Sequence, residues 1–330
     1  MLTFDDTDRM ADTALASADP VLILAPPCTF SWVVCAMLGQ HPQMYGLPEL
    51  HLFLTSTMGE WWDLCSRSNF EMDHGLARAV AELYFGEQTD TSVSRARGWL
   101  RRRGHYTTGL LMEELIDRLK PLVAVEKSPS VAVELTALER AFDMFPNARF
   151  LHLVSHPRRY CDLVVDAIRE AQKARPLPQS HWLVRLASED PPLGADGVSI
   201  AELDPQISWL HSNCAIRDYL SRVPEGQRMQ ARGEEIFAGS TDALAEIARW
   251  LHLRTDAEAL DRMRHPERSP YAHKGPPSAA FGSDLFLRIG PLVRPEWTDG
   301  RSLEGPLGWR TDRHGMRPEV VELAASFGYT

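Results

Sequence analysis

The chain has 330 residues, of which 44% are hydrophobic and 24% charged, with a formal net charge of −10. That is ordinary soluble-protein composition, long enough for one large α/β domain or two small ones. So acidic a balance excludes general binding to nucleic acid or to anionic membranes, while leaving room for a local basic pocket.

Residues 1–19 are expected to form a polar leader ahead of a single domain over 20–330. Val21–Ala25 is a short apolar run before Pro26-Pro27, the pattern of a strand covered on both faces. A helix is predicted from Ser31, which can cap it, to Gly39, which can end it. A strand–loop–helix unit of this kind aims free N–H groups and the positive end of a helix dipole at one spot, where α/β proteins hold phosphate. Met44–Leu47 is a second strand, ending at Pro48. From Leu52 to Leu119 apolar residues recur at helical spacing, as at Leu76, Val80, Leu83 and Tyr84. This stretch holds the most basic patch, Arg95, Arg97, Arg101, Arg102, Arg103 and His105. It is either a solvated helix face or a hold for an anionic group of a substrate or carrier.

Pro121–Val125 is a third buried strand, running into Glu126-Lys127-Ser128-Pro129-Ser130 and a helix that ends near Phe145. Arg149–Val154 is a fourth, leading into Ser155-His156-Pro157-Arg158-Arg159 and a helix that ends near Lys173. Residues 174–204, rich in Pro, Gly and Asp, are expected to make a long excursion over the active-site side. An amphipathic helix over Pro205–Arg222 sets Ile207, Leu210 and Cys214 on one side, and Asp242–Leu251 is a further helix. From 254 onward the chain is expected to be irregular, with Pro266, Pro270, Pro276, Pro277, Pro291 and Pro295. Strands alternating with helices imply right-handed βαβ units and a parallel sheet, with function beyond the strands' carboxyl ends.

Cys28, Cys35, Cys65, Cys161 and Cys214 are scattered, odd in number and without CxxC spacing. They suit reduced thiols in a cytoplasmic protein rather than a disulfide frame or a zinc site. The twelve histidines show no ligand spacing with Cys or carboxylates, so no metal is expected. The acidic N-terminus lacks a signal-peptide pattern, and no apolar run approaches the ~20 residues that span a bilayer.

Pro26-Pro27-Cys28-Thr29-Phe30-Ser31-Trp32, then Gly39-Gln40-His41-Pro42 and Leu47-Pro48-Glu49-Leu50-His51-Leu52-Phe53, resembles the start of a sulfotransferase that uses 3′-phosphoadenosine 5′-phosphosulfate (PAPS). Gln230 to Phe237 resembles that family's Arg-Tyr-Glu-Asp segment, which follows a strand, and Arg317 to Tyr329 its closing helix. The resemblance implies a P-loop-like sulfotransferase fold, α/β with a central parallel β-sheet flanked by helices. In that register Cys28 stands at the loop's basic residue, Phe30 at its glycine and Trp32 at its last hydroxyl residue. Ser155 and Leu163 stand where an Arg and a Ser would hold the 3′-phosphate. A thiol cannot replace a guanidinium, and a large side chain sits where the backbone would approach the ligand. Each charge-assisted phosphate contact is worth roughly 1.5–3 kcal/mol, so losing three or four weakens PAPS binding by many orders of magnitude. The loop then survives as scaffold, or holds an anion through Thr29, Ser31 and the helix N-terminus. Arg158 and Arg159, on the next helix turn, are the cations that would have to replace the missing Arg.

On the acceptor side Glu49-Leu50-His51 resembles the Glu-x-His of glycosaminoglycan-type sulfotransferases, whose Glu is the general base on the acceptor hydroxyl. Pro48 and its apolar neighbours are expected to desolvate Glu49 and raise its pKa. On an extended segment, residues two apart share a side, so His51 can sit beside Glu49. Glu126-Lys127-Ser128-Pro129 resembles the family's Glu-Lys-Thr/Ser-Pro, whose Lys lies near the transferring group. A Lys there can stabilise developing negative charge, or it can pair with Glu126 or Glu49 as a structural ion pair. Trp209 and Asn213 also match the family and are expected to act as packing and cleft wall.

Donor-side residues are replaced at Cys28, Phe30, Trp32, Ser155 and Leu163 while Glu49, His51 and Lys127 stand. The expectation is an enzyme of small-molecule, including natural-product, metabolism that needs no cofactor and works by acid–base chemistry: elimination, cyclisation or isomerisation. The alternatives are a PAPS-dependent O-sulfotransferase, with PAPS as donor and Glu49 as base, and a non-catalytic binding protein. The expected partner is a small-molecule substrate, free or carrier-bound.

Overall fold

Four consecutive buried apolar residues, Val21–Leu24, form strand β1 at the centre of a five-stranded sheet. The other strands are β2 (Met44–Gly46), β3 (Val123–Glu126), β4 (Arg149–Val154) and β5 (Arg228–Arg232). Their order is β2-β3-β1-β4-β5, and every pairing is parallel. The computed structural model describes residues 19–68, 71–132, 134–173, 177–178, 181–187, 193–194, 197–282 and 302–330. The leader up to residue 18, with Pro291 and Pro295 of the tail, lies outside the described residues.

Side chains alternate across a strand, and the alternation divides the core. Leu22 and Leu24 pack on one face, and Val21 and Ile23 on the other. The second face is covered by helix α1 (Ser31–Leu38), whose eight residues are all buried, as a helix apolar all round must be. The first face is covered by α2 (Met58–Arg67), α3 (Asp73–Phe85), α4 (Asp90–Arg101), α5 (Thr108–Leu119) and α6 (Leu135–Met144). Thr57 and Thr89 start α2 and α4 through reciprocal capping boxes with Glu60 and Ser92.

A third cluster joins α7 (Pro157–Gln172), α8 (Trp182–Ala187), α9 (Gln206–Leu220) and the carboxyl-terminal segment, through Tyr160, Leu183, Trp209 and Leu323. The chain continues through α10 (Gly233–Phe237), α11 (Thr241–Trp250), α12 (Ala257–Arg262) and α13 (Pro318–Ser326). Among the described residues no helix is long and apolar enough to cross a membrane.

Ser31 does not cap α1: Phe30 holds the cap position, without a side-chain hydrogen bond, and Ser31 is the first helical residue. Gly39 does follow the helix, with an ordinary right-handed backbone; its place is set by Gly46, whose nitrogen lies 2.3 Å from where a Cβ would stand. The described part of 174–204 is not all surface, because Leu183, Val184, Ala187 and Leu203 are core residues of the third cluster. On α9 the buried face carries Trp209, Asn213, Ile216 and Leu220, while Ile207, Leu210 and Cys214 stay partly exposed. The tail holds α12, capped by Asp256.

This topology positions the site. The chain leaves β1 toward β2 and leaves β4 toward β5, so the strand order diverges between neighbours β1 and β4. Ligand crevices of open α/β sheets form at such a point, beyond the carboxyl ends. The donor-side residues follow β1 and β4, and the acceptor-side residues follow β2 and β3.

Candidate active site

Pairing of β2 with β3 sets Gly46 opposite Val125, and Leu47 extends the ladder by donating its N–H to Val125 O at 2.8 Å. The two chains leave the sheet side by side, which brings Glu49 to Lys127. Lys127 is 4% exposed, and its Nζ lies 2.6 Å from Glu49 Oε1; the Glu49 side chain is 17% exposed. His51 Nε2 lies 3.7 Å from the other oxygen, Oε2. All three predicted catalytic residues meet.

They meet through a bent backbone rather than the extended segment expected. His51 has φ 55 and ψ 21, a left-handed conformation that a side chain rarely adopts and that concentrates at functional sites. The segment after β3 holds it there. His51 donates its N–H to Ser128 Oγ at 2.9 Å, Leu50 donates to Glu126 Oε1 at 3.5 Å, and Ser128 Oγ donates to Glu126 Oε1. Ser130 Oγ lies 3.0 Å from His51 Nδ1.

The charges settle in a definite pattern. Burial acts to raise the Glu49 pKa, but Lys127, then His51, outweigh it and hold the carboxyl below its ordinary value. That corrects the expected rise: the sequence shows the desolvating neighbours and not the counter-charge. Burial lowers His51, against Glu49 and with Lys127, so the ring is neutral near neutral pH. Glu126, 2% exposed, is pushed up to about 7 by burial, which its bonds from Ser128 and Leu50 only moderate. A carboxylate, a neutral imidazole and an ammonium thus sit together at neutral pH, competent to accept a proton and to stabilise the negative charge left behind.

A cavity opens beside Glu49 and Lys127, walled by Trp32, Leu47, Pro48 and Tyr271. Trp32, a donor-loop residue by sequence, therefore stands at the acid–base cluster. Two glycines were missed. Gly75 in α3 lies so close to Glu49 that a Cβ would stand 1.9 Å from its carbonyl oxygen. Gly282, with φ +94, accepts the Glu49 N–H at 2.9 Å, and its own Cβ would fall 2.3 Å from Gly75 Cα. A glycine inside a helical pattern was the available signal for Gly75.

The donor side is different. Cys28 is buried with φ 62, Thr29 donates its hydroxyl to Pro26 O at 2.8 Å, and Phe30 packs edge-on against Phe237 with centroids 5.2 Å apart. Among the described residues Ser31 Oγ, Trp32 Nε1 and Ser155 Oγ are buried without hydrogen-bond partners. Arg158 does not turn to this site. Its guanidinium donates to the carbonyls of Ser302, Leu303, Glu304, Gly305 and Pro306, at 2.7–3.4 Å. Arg159 is buried. The Glu234 carboxylate accepts the His156 N–H and the Tyr329 hydroxyl, each at 2.8 Å, and so places an acid beside Ser155. Cys28 brings no cation to the loop and Arg158 is engaged elsewhere, while three orphaned polar atoms mark the place.

The basic patch is divided among separate partners. Arg97 pairs with Asp73 at 2.6 Å and Arg103 with Glu114 at 2.7 Å, while Arg95 and Arg101 lie over Phe85 and Trp62. Asn213 and Trp209 are fully buried, bonded to His152 and to Ser155 O, so they act as packing. Among the described residues no group of three or more His, Cys, Asp or Glu is placed to hold a metal.

A parallel sheet with a tight loop and helix after its central strand, and a Lys–Glu–His cluster beyond its carboxyl ends, defines a P-loop-like α/β architecture. The chain belongs to the sulfotransferase family, whose model matches residues 20–257. Two solved structures share the fold. The sulfotransferase domain from the curacin biosynthetic pathway superposes with a TM-score of 0.71 at 20% identity, over 95% of this chain and 99% of that one. The sulfotransferase domain from the Synechococcus PCC 7002 olefin synthase gives 0.65 at 21% identity, over 95% and 97%. A comparison with curated proteins gives no significant match.

Proposed function

We propose that the chain is a sulfotransferase-fold enzyme of small-molecule metabolism that moves a proton at Glu49 and does not use PAPS. The observation that carries this is the contrast between the two sides of the site. Glu49, Lys127 and His51 are assembled, and Glu49 and Lys127 line a cavity. The donor loop offers a thiol at its basic position, and Arg158 is engaged by five carbonyls. Glu49, ionised, takes a proton from the substrate, Lys127 stabilises the resulting anion, and His51 orients the carboxylate. Elimination, cyclisation and isomerisation share that step.

The substrate is a small molecule, free or carrier-bound; the pathway origins of the two structural neighbours support a biosynthetic setting. Five cysteines unpaired with one another suit a reducing, cytoplasmic compartment.

A second reading, PAPS-dependent O-sulfotransfer to a substrate hydroxyl, is favoured by one observation: the orphaned Ser31 Oγ, Trp32 Nε1 and Ser155 Oγ. Buried polar atoms are normally bonded, and a ligand would satisfy them. Calorimetric titration with adenosine 3′,5′-bisphosphate separates the two. No binding at millimolar concentration supports the PAPS-free reading, and micromolar binding overturns it in favour of sulfotransfer.

A further inference from the structure

His51 can face Glu49 in a useful way in only one ring orientation. Rotating an imidazole by half a turn exchanges nitrogens for carbons, so Nε2 lies near Glu49 Oε2 only while Nδ1 stays on the opposite side. The residue on that opposite side is Ser130, whose Oγ lies 3.0 Å from Nδ1. Neither Glu126 nor Ser128 can do this, because their bonds reach the backbone of Leu50 and His51 and leave the ring free to turn.

We propose that Ser130 is a positioning residue for Glu49, acting through His51: its hydroxyl donates to Nδ1 and so turns Nε2–H toward the Glu49 carboxylate. The neutral ring then carries its one proton on Nε2, beside the anion, where it is electrostatically favoured. Lys127 holds Oε1 of Glu49 at 2.6 Å while His51 stands at Oε2, so the carboxylate is oriented from both sides. A hydroxyl is suited to this task for a further reason. It donates to a neutral Nδ1 and accepts from a protonated one, so the ring keeps its pose in either state. An alanine offers neither bond.

This rests on the reading that Glu49 carries the chemistry, but its test does not. The imidazole of His51 is observed directly by ¹⁵N NMR of histidine-labelled protein near neutral pH, with His51→Gln used to assign its signals. In the unchanged protein Nε2 is expected to carry the proton and Nδ1 to show the shift of a nitrogen that accepts a hydrogen bond. Ser130→Ala is expected to lose that Nδ1 shift and to broaden or double the ring signals as the second orientation becomes populated. Ser130→Thr, which restores a hydroxyl, is expected to recover the original spectrum. A ring protonated on Nδ1 in the unchanged protein, or an identical spectrum in Ser130→Ala, overturns the proposal. Should Ser130→Ala not fold, a folded Ser130→Thr with the altered spectrum overturns it equally. Failure of the Glu49 reading would show elsewhere, as turnover untouched by Glu49→Gln with the His51 spectrum intact.

Discussion

Lys127 Nζ and Glu49 Oε1 stand 2.6 Å apart although 78 positions separate the two residues in the chain. The parallel pairing of β2 with β3 joins them, and α1 and the loop carrying Tyr271 enclose the cavity beside them. An ion pair this far removed from water is costly to break and only modestly stabilising to have.

Removing one partner should therefore hurt more than removing both. Lys127→Met leaves the Glu49 carboxylate without its main counter-charge and should destabilise the fold by about 3 kcal/mol. The double variant Glu49→Gln with Lys127→Met should recover most of that loss. Urea unfolding of the two singles and the double gives the coupling directly; strict additivity would mean that the pair does not act as a unit.

Glu126 predicts a pH dependence. Its pKa is raised from 4.5 to about 7 by burial, so the native state binds its proton more tightly than the unfolded chain does. The stabilisation is full below pH 4.5 and is lost as the pH rises through 7, for a total of about 3 kcal/mol. Glu49 acts oppositely: held below its ordinary value, it contributes above that value and its contribution is lost on acidification. Denaturant unfolding at pH 5 and pH 8 should show Glu126→Gln raising stability at pH 8 relative to the unchanged protein. Parallel pH profiles would rule the assignment out.

Gly75→Ala should reach the site without touching its chemistry. A Cβ at that place would stand 1.9 Å from the Glu49 carbonyl oxygen, so the helix or the Glu49 segment must move. Overpacking of this kind costs about 1–3 kcal/mol. Thermal unfolding measures the loss, and the His51 ring signals should shift with it. A variant as stable as the original would show that the two backbones are not in contact.

Arg158→Ala separates anchoring from donor binding. Five carbonyls between Ser302 and Pro306 lose their donor, so hydrogen exchange at 303–307 should quicken. The response to adenosine 3′,5′-bisphosphate should stay as it is in the unchanged protein. A weakened response would return Arg158 to the donor site.

The amino-acid sequence by itself determined the elements and their class. The strands expected at Val21–Ala25, Met44–Leu47, Pro121–Val125 and Arg149–Val154 formed to within two residues at each end, and the periodicity of 52–119 already marked helices. Such signals are local: period and punctuation belong to the chain and need no knowledge of what lies across the fold. The motifs also named Glu49, His51 and Lys127. Only the tertiary structure decided what those residues are to one another. Whether burial or Lys127 governs the Glu49 carboxyl, whether Arg158 faces a phosphate or five carbonyls, and why Gly75 has no side chain all depend on groups drawn from distant segments. Their energies vary over a few ångströms, a scale set by strand register and helix packing and not by neighbours in sequence.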